Sequence, residues 1–233
     1  MMNKTIKVAD WGSLSYEIAW QRQEDFFSKI IARKKENRKL ECPFPTDNHF
    51  FFVTHTPVFT IGKSGKMEHL LLNENELTDK NISFFRTNRG GDITFHGPGQ
   101  IVGYPILDLD NFFTDIHKYL RCLEEVIIKT LFDFGINGAR SDRETGVWLD
   151  LNTPFARKIC AMGVRASRWV TMHGFALNVN TDLSYFDYIV PCGIQGKGVT
   201  SLANELNEQV NEKEVKDKLI KHFAEVFEAV IIS

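Results

Sequence analysis

Three short segments of this chain carry residue types that a scaffold rarely needs together. The first is Pro191-Cys192-Gly193, followed by Gly196, Gly198 and Val199-Thr200-Ser201-Leu202. A cysteine between proline and glycine has a loop setting. Reactive thiols need access and an electropositive surrounding, which a loop permits and a core strand does not. Gly193 has no side chain, so its N–H can approach an acyl oxygen as an oxyanion donor would. Cys192 is thus a candidate nucleophile; the competing reading is a turn cysteine among turn glycines. The second segment, Arg157 to Arg165, reads RKICAMGVR. Lys158 at the head of this apolar β-like run is either a solvated strand end or, if it points into a cleft, a fixed positive charge. The third, Arg89 to Gln100, reads RGGDITFHGPGQ. Its glycines suit either a backbone that approaches a ligand closely or a plain hairpin. Arg89 adds a cation and His96 a titratable donor. No GK[ST] follows, so this is not a Walker phosphate loop.

A lysine beside Cys192 is sufficient in magnitude to activate it. A free thiol has a pKa of about 8.5, so only a few per cent is thiolate near neutrality. Lowering that value by about two units takes roughly 2.7 kcal/mol. An ammonium about 4 Å away supplies about 4 kcal/mol at an effective dielectric of about 20.

Composition narrows the classes. Of 233 residues, 43% are hydrophobic and 25% charged, which describes a globular chain rather than a disordered one. A net charge of −2 excludes the global basic field of a nucleic-acid binder. No apolar run reaches the roughly 18 residues of a membrane span. The opening MMNKTIKVADW has neither an apolar signal core nor an Arg-rich stretch, so a cytoplasmic location is expected. Cys42, Cys122, Cys160 and Cys192 form no CxxC pair and no Cys/His cluster with zinc spacing, so reduced thiols and no metal are expected. Nineteen Phe point to an aromatic-rich core or to a greasy pocket cut into it.

These segments need elements to hold them. Residues 14–36 predict a helix with Ser13 as N-cap. Residues 114–134 predict the clearest one: Ile116, Tyr119, Leu120, Leu123, Val126, Ile127, Leu131 and Phe134 recur at three and four, and Gly135 follows as a C-cap. A last helix runs from Val215 through Val230. Strands are expected at 48–54, 82–87, 146–149, 158–164, 169–172 and 174–178, and at 101–107, where Pro105 argues for a strand end or edge. Strands clustered between helices make an α/β or α+β fold with a mixed, largely antiparallel sheet. Cys122 falls in a helix and Cys160 in a strand, both as core residues.

In this order the segments resemble the octanoyltransferases of lipoate biosynthesis. The resemblance begins at Gly12-Ser13-Leu14-Ser15-Tyr16 with Ala19-Trp20 and Gln23, and continues at Thr56 to Gly62. It is strongest over Arg89 to Leu107, RGGDITFHGPGQIVGYPIL. It then takes in Gly146-Val147-Trp148, Lys158 to Arg165, His173 to Val179, and Pro191-Cys192-Gly193 to Leu202. It implies a single catalytic domain over 1–233 with the biotin/lipoate protein ligase-like fold. It implies that an octanoyl group arrives on acyl carrier protein, forms a thioester on Cys192, and leaves on a lysine ε-amine of lipoyl domains of 2-oxoacid dehydrogenase complexes or of the glycine cleavage H protein. Lys158 would tune the thiol. Arg89, Gly90, Gly91, Asp92, Ile93, Thr94, Phe95 and His96 would line the substrate site. Ala161, Met162 and Gly163 would form one further wall, and Gly174, Phe175 and Ala176 another. Lys158, His96 or His173 would accept the amine proton. Neither ATP nor metal is implied, and nucleic acid and membrane are not expected partners. The rivals are an ATP-dependent lipoate or biotin protein ligase on the same fold and a non-catalytic acyl- or lipoyl-binding protein. Arg157, Lys158, Arg165 and Arg168 would offer acidic carrier and lipoyl domains a basic docking patch, or else form a solvated face.

Overall fold

The computed structural model describes residues 2–142, 144–190 and 198–232. The chain opens with a strand that its residue pattern does not announce, β1 (Thr5–Leu14), followed by α1 (Tyr16–Asn37) and β2 (Asn48–His55). β1 and β2 run parallel, so α1 is the crossover between them. The helix starts two residues later than expected. Ser15, not Ser13, is its N-cap and accepts from the Ile18 N–H, while Ser13 pairs with Thr54 across the sheet.

A small second sheet follows. It contains β3 (Val58–Ile61), β4 (Ser83–Arg86) after the short α2 (Glu74–Asp79), and β5 (Ile93–His96), in the order β4-β3-β5. The chain returns to the large sheet with β6 (Gln100–Ile106), then forms α3 (Ile116–Phe132), β7 (Ala139–Arg140), β8 (Gly146–Leu149), β9 (Arg157–Ser167) and β10 (Val170–Asn178). The end comprises β11 (Gly198–Val199), α4 (Leu202–Leu206), α5 (Glu212–Phe227) and β12 (Val230–Ile232). Among the described residues the large sheet has the order β12-β1-β2-β6-β10-β9-β8-β7, with β11 also on β9. The pairs β1–β2, β1–β12 and β9–β11 are parallel and the others antiparallel, so the sheet is mixed and largely antiparallel, as expected.

Three further expectations are refined. Pro105 lies one residue from the end of β6, a central strand between β2 and β10, so of the two expected positions it takes the strand end and not the edge. It is tolerated because the β6–β10 ladder stops at Gly103↔Phe175, before the missing N–H would be needed. The segments expected at 169–172 and 174–178 form one strand, β10, which begins at Val170 after a turn that includes Trp169 and is disturbed at His173 by a φ of 59°. The last helix ends at Phe227, and Val230 belongs to β12.

One face of the large sheet packs Ile101, Phe175 and Leu177 against Leu123 and Ile127 of α3 and Leu219 and Phe223 of α5. The other packs Val53, Val102 and Tyr104 against Phe27 and Ile30 of α1. The small sheet has its own core of Phe59, Ile61, Ile93, Phe95 and Phe186. Phe50, Phe52, Phe59, Phe95, Phe175 and Phe223 are half of the twelve largest fully buried side chains, so the Phe excess chiefly builds core. Among the described residues no helix is long and apolar enough to cross a membrane.

Candidate active site

Lys158 reaches its position through an irregularity in the sheet. On β8 and β9 the pairs are Gly146↔Ala161, Val147↔Cys160 and Trp148↔Lys158, which leaves Ile159 as an extra residue on β9. Without that bulge Lys158 and Cys160 would point to the same side, because side chains alternate with period two. The extra residue reverses the parity. Cys160 and Val147 turn into the core beneath α3, while Lys158 joins Ala161 on a cavity. Its Nζ sits 4.5 Å from the centre of the Trp148 ring.

The cavity holds about 400 Å³, within the range of small-molecule sites. Its floor is a patch of small residues in two cross-strand pairs, Ala161↔Ala176 and Gly163↔Gly174. Met162 and Phe175 border it as well, although both also belong to the α3/α5 core. Ile116 and Leu120 of α3, Val102 and Phe186 add apolar wall.

Opposite the floor lies the glycine-rich segment. Arg89, Gly90, Gly91, Asp92, Ile93, Thr94 and His96 all border the cavity. Gly90 donates its N–H to Val164 O at 2.9 Å, which lays the loop on β9. The fit requires glycine at position 163, where a Cβ would stand 2.6 Å from Gly90 O. Arg89 is buried, and its guanidinium ties the loop to the small sheet. Nη2 donates to Thr60 O at 2.6 Å and to Thr60 Oγ1 at 2.9 Å, and Nη1 to Gly90 O at 3.0 Å. Phe95 is the exception among the expected lining residues. It faces away from Thr94 and His96 along β5, stacks on Tyr185 at 4.4 Å and belongs to the small-sheet core, not to the cavity wall.

The histidines near the cavity are held neutral. The His96 ring bridges Gln100 Oε1 at 2.9 Å and Thr60 Oγ1 at 3.3 Å, and burial, with His55 and Arg89 nearby, pushes its pKa well below the usual value. His173 Nε2 meets Asn88 Oδ1 at 2.7 Å, and burial, reinforced by Arg89 and Arg165, lowers its pKa to about 3. His55, between Leu14 O and the Tyr104 hydroxyl, is lowered by burial to about 4.

Cys192 lies outside the described residues, as do Pro191, Gly193 and Gly196. Of the other cysteines, Cys160 is core and its thiol is pushed up by burial, Cys122 is partly buried and also pushed up by burial, and Cys42 is exposed. The basic residues of β9 do not form one patch. Arg157 is paired with Glu205 at 2.6 Å and with Asp150, and Arg165 with Glu24 at 2.7 Å. Arg168 lies in the turn at the far end of the strand, roughly 35 Å from Arg157 by strand rise.

The site includes residues that the sequence did not single out. Tyr16, Tyr104, Gln100 and Asn178 border the cavity and link to the buried histidines or to each other. Asp92 is held by His69 Nδ1 at 2.6 Å and by the Ile93 N–H. Glu124 is fully buried on α3. Tyr16, Gln100, Tyr104 and Asn178 stand inside the resembling segments without an assigned role, while Glu124, which does not border the cavity, is marked only as a carboxylate four residues after Leu120 on an apolar helix stripe. Among the described residues no three His, Cys, Asp or Glu side chains converge as metal ligands.

The mixed sheet covered by helices is a fold that this chain shares with lipoate and biotin protein ligases. The bi-partite lipoate protein ligase of Thermoplasma acidophilum superposes with a TM-score of 0.67 at 16% identity, over 100% of this chain and 88% of that one. The biotin protein ligase of Aquifex aeolicus does so with a TM-score of 0.51 at 12% identity, over 98% and 71%. At these identities the likeness concerns fold alone. Residues 15–224 match the lipoyl protein ligase A/B catalytic domain family, and the chain belongs to it. The octanoyltransferase of Flavobacterium johnsoniae is 62% identical over 232 residues, which cover 99% of this chain and 100% of that protein.

Proposed function

We propose that this chain is an acyltransferase acting through a covalent thioester: it moves an octanoyl group from acyl carrier protein to a lysine ε-amine on lipoyl domains. The observation that carries this reading is the near full-length 62% identity to an octanoyltransferase. The cavity supports it, because its small-residue floor and apolar walls suit an acyl chain and Lys158 stands at its border. The acceptors would be the lipoyl domains of 2-oxoacid dehydrogenase complexes and the glycine cleavage H protein. The chain would work in the cytoplasm, as one catalytic domain, without ATP or metal.

The Cys192 thiolate attacks the donor thioester carbonyl. The donor C–S bond breaks, and the carrier thiol takes up the proton that Cys192 gave up. In the second half the acceptor amine, once neutral, attacks the acyl-Cys192 carbonyl. The amide forms, the C–S bond to Cys192 breaks, and the amine proton passes to the departing thiolate. His96 and His173 are poor relays for that proton, since burial holds both neutral. Lys158 is the better relay, and in its charged form it stabilises the thiolate.

Intact-mass analysis after mixing with octanoyl-carrier protein in EDTA, without nucleotide, tests this. An octanoyl adduct mapped to Cys192 is expected, followed by its loss to an apo lipoyl domain. An adduct on Cys160, turnover in Cys192→Ala, or strict dependence on ATP would overturn it.

A further inference from the structure

Glu124 is a charged side chain with no part in the chemistry above, yet it is fully buried in the helix that backs the sheet. Burying a carboxylate is costly unless it is paired and hydrogen-bonded. Oε1 accepts the Gly146 N–H at 2.9 Å. Oε2 lies 3.1 Å from Arg121 Nη1 and 3.6 Å from Arg140 Nε. Burial pushes its pKa up, against the lowering by Gly146, Arg121 and Arg140.

The position it holds is an unusual one. Gly146 has a φ of 126°, a conformation open to glycine and little else. Its vacant Cβ direction points at Cys160 O, 2.6 Å away, and next at Lys158 Cε, 3.6 Å away. Gly146 and Trp148 stand on the same side of β8, so the lysine stem lies along Gly146 and its ammonium over the Trp148 ring. The bulge that turns Lys158 toward the cavity falls between the partners of these two residues. The first residue of β8 therefore sets where the lysine stem rests, and Glu124 holds that residue's N–H.

We infer that Glu124 is a positioning residue for Lys158: through the Gly146 N–H it fixes the start of β8, and with it the bed on which the lysine lies. The inference rests on the reading of Lys158 as the partner of Cys192. What matters is the reach of the acceptor oxygen, not the charge. Glu124→Gln keeps an oxygen at the same reach. Glu124→Asp keeps the charge but draws the oxygen back by one methylene.

The test is the pH dependence of Cys192 alkylation by iodoacetamide, followed by peptide mapping so that the other cysteines are separated, alongside single-turnover octanoyl transfer. Glu124→Asp should slow Cys192 alkylation at pH 7 by about tenfold, the effect of about one unit in the thiol pKa. Octanoyl transfer should slow with it, while the KM for the lipoyl domain stays within about twofold. Glu124→Gln should recover most of both. In a Lys158→Ala background the Glu124→Asp effect should vanish, since two residues acting through one contact are not additive. Normal kinetics in Glu124→Asp, an inactive Glu124→Gln, or an undiminished Glu124→Asp effect on top of Lys158→Ala would each overturn the inference. If Lys158→Ala itself leaves Cys192 alkylation unchanged, the Lys158–Cys192 reading falls and takes this one with it. If Lys158→Ala shifts the profile and Glu124→Asp does not, only the role of Glu124 falls.

Discussion

At the scale of residues, Lys158 carries two assignments that a single removal cannot separate. Its ammonium would hold Cys192 as thiolate, and its amine would relay the acceptor proton. Lys158→Ala should raise the midpoint of Cys192 alkylation toward about 8.5 and lower transfer by about 10²-fold or more. Lys158→Arg restores a charge but not a base, since guanidinium does not deprotonate in proteins. With His96 and His173 held neutral, neither histidine is a good substitute relay. The arginine variant should therefore recover alkylation and fail in amine acylation from preformed acyl-enzyme. Recovery of both would leave Lys158 a purely electrostatic role, and an unchanged profile in the alanine variant would dissolve the pair.

At the scale of elements, the site depends on two backbones lying closer than side chains allow. The Arg89–Gly91 loop rests on β9 because Gly163 presents no Cβ to Gly90 O. Gly163→Ala would place that Cβ 2.6 Å from Gly90 O and 3.3 Å from Arg89 Cδ, so the loop must lift. Overpacking of this kind costs about 1–3 kcal/mol, and the cavity wall moves with the loop. A lower denaturant midpoint together with at least tenfold slower turnover is expected; wild-type turnover would mean that the loop seat does not shape the site. Such seats are hard to read from residue types. The glycines at 90 and 91 were legible as close-approach residues, but Gly163 was legible only as a wall residue implied by the resemblance, not as the seat of the loop backbone. α3 was legible because its apolar stripe repeats over many turns. β1 was not, because its burial pattern is mixed and it is held by parallel partners distant in sequence. The bulge at Ile159 was invisible for a related reason: nothing in KIC marks the residue that partner strands will skip, yet that skip turns Lys158 to the opposite face from Cys160 and so onto the cavity. Phe95 was misplaced because a family signature names positions without giving the face of the strand.

At the scale of the molecule, His96 and His173 are buried at the cavity, His55 is buried edge-on against His96, and burying this layer makes the fold acid-sensitive. Burial lowers His55 to about 4 and His173 to about 3, and holds His96 well below its usual value. Tyr16 and Tyr104 beside them stay protonated, Tyr16 raised by burial to about 12, so they offer no negative charge to offset an imidazolium. In the unfolded chain each histidine titrates near about 6.5. Above that value both states hold the imidazoles neutral, and the stability is fully present. As the pH falls from about 6.5 toward the folded-state values, the unfolded chain binds protons that the folded one refuses, and stability is lost. Each such histidine contributes a slope of about 1.4 kcal/mol per pH unit, so the three together approach about 4 kcal/mol per unit near pH 5. Urea denaturation at pH 7.5, 6.5, 5.5 and 5.0 should show a stability that falls by only about 1 kcal/mol over the first interval, where the unfolded imidazoles begin to titrate, and steeply below it. His55→Gln removes one of these protons and should reduce the slope by about a third, whatever it does to stability at pH 7.5. A stability unchanged down to pH 5, or a slope the same in His55→Gln as in the parent, would mean that the histidines of this layer take up protons in the folded state and that the cavity is wetter than its packing implies.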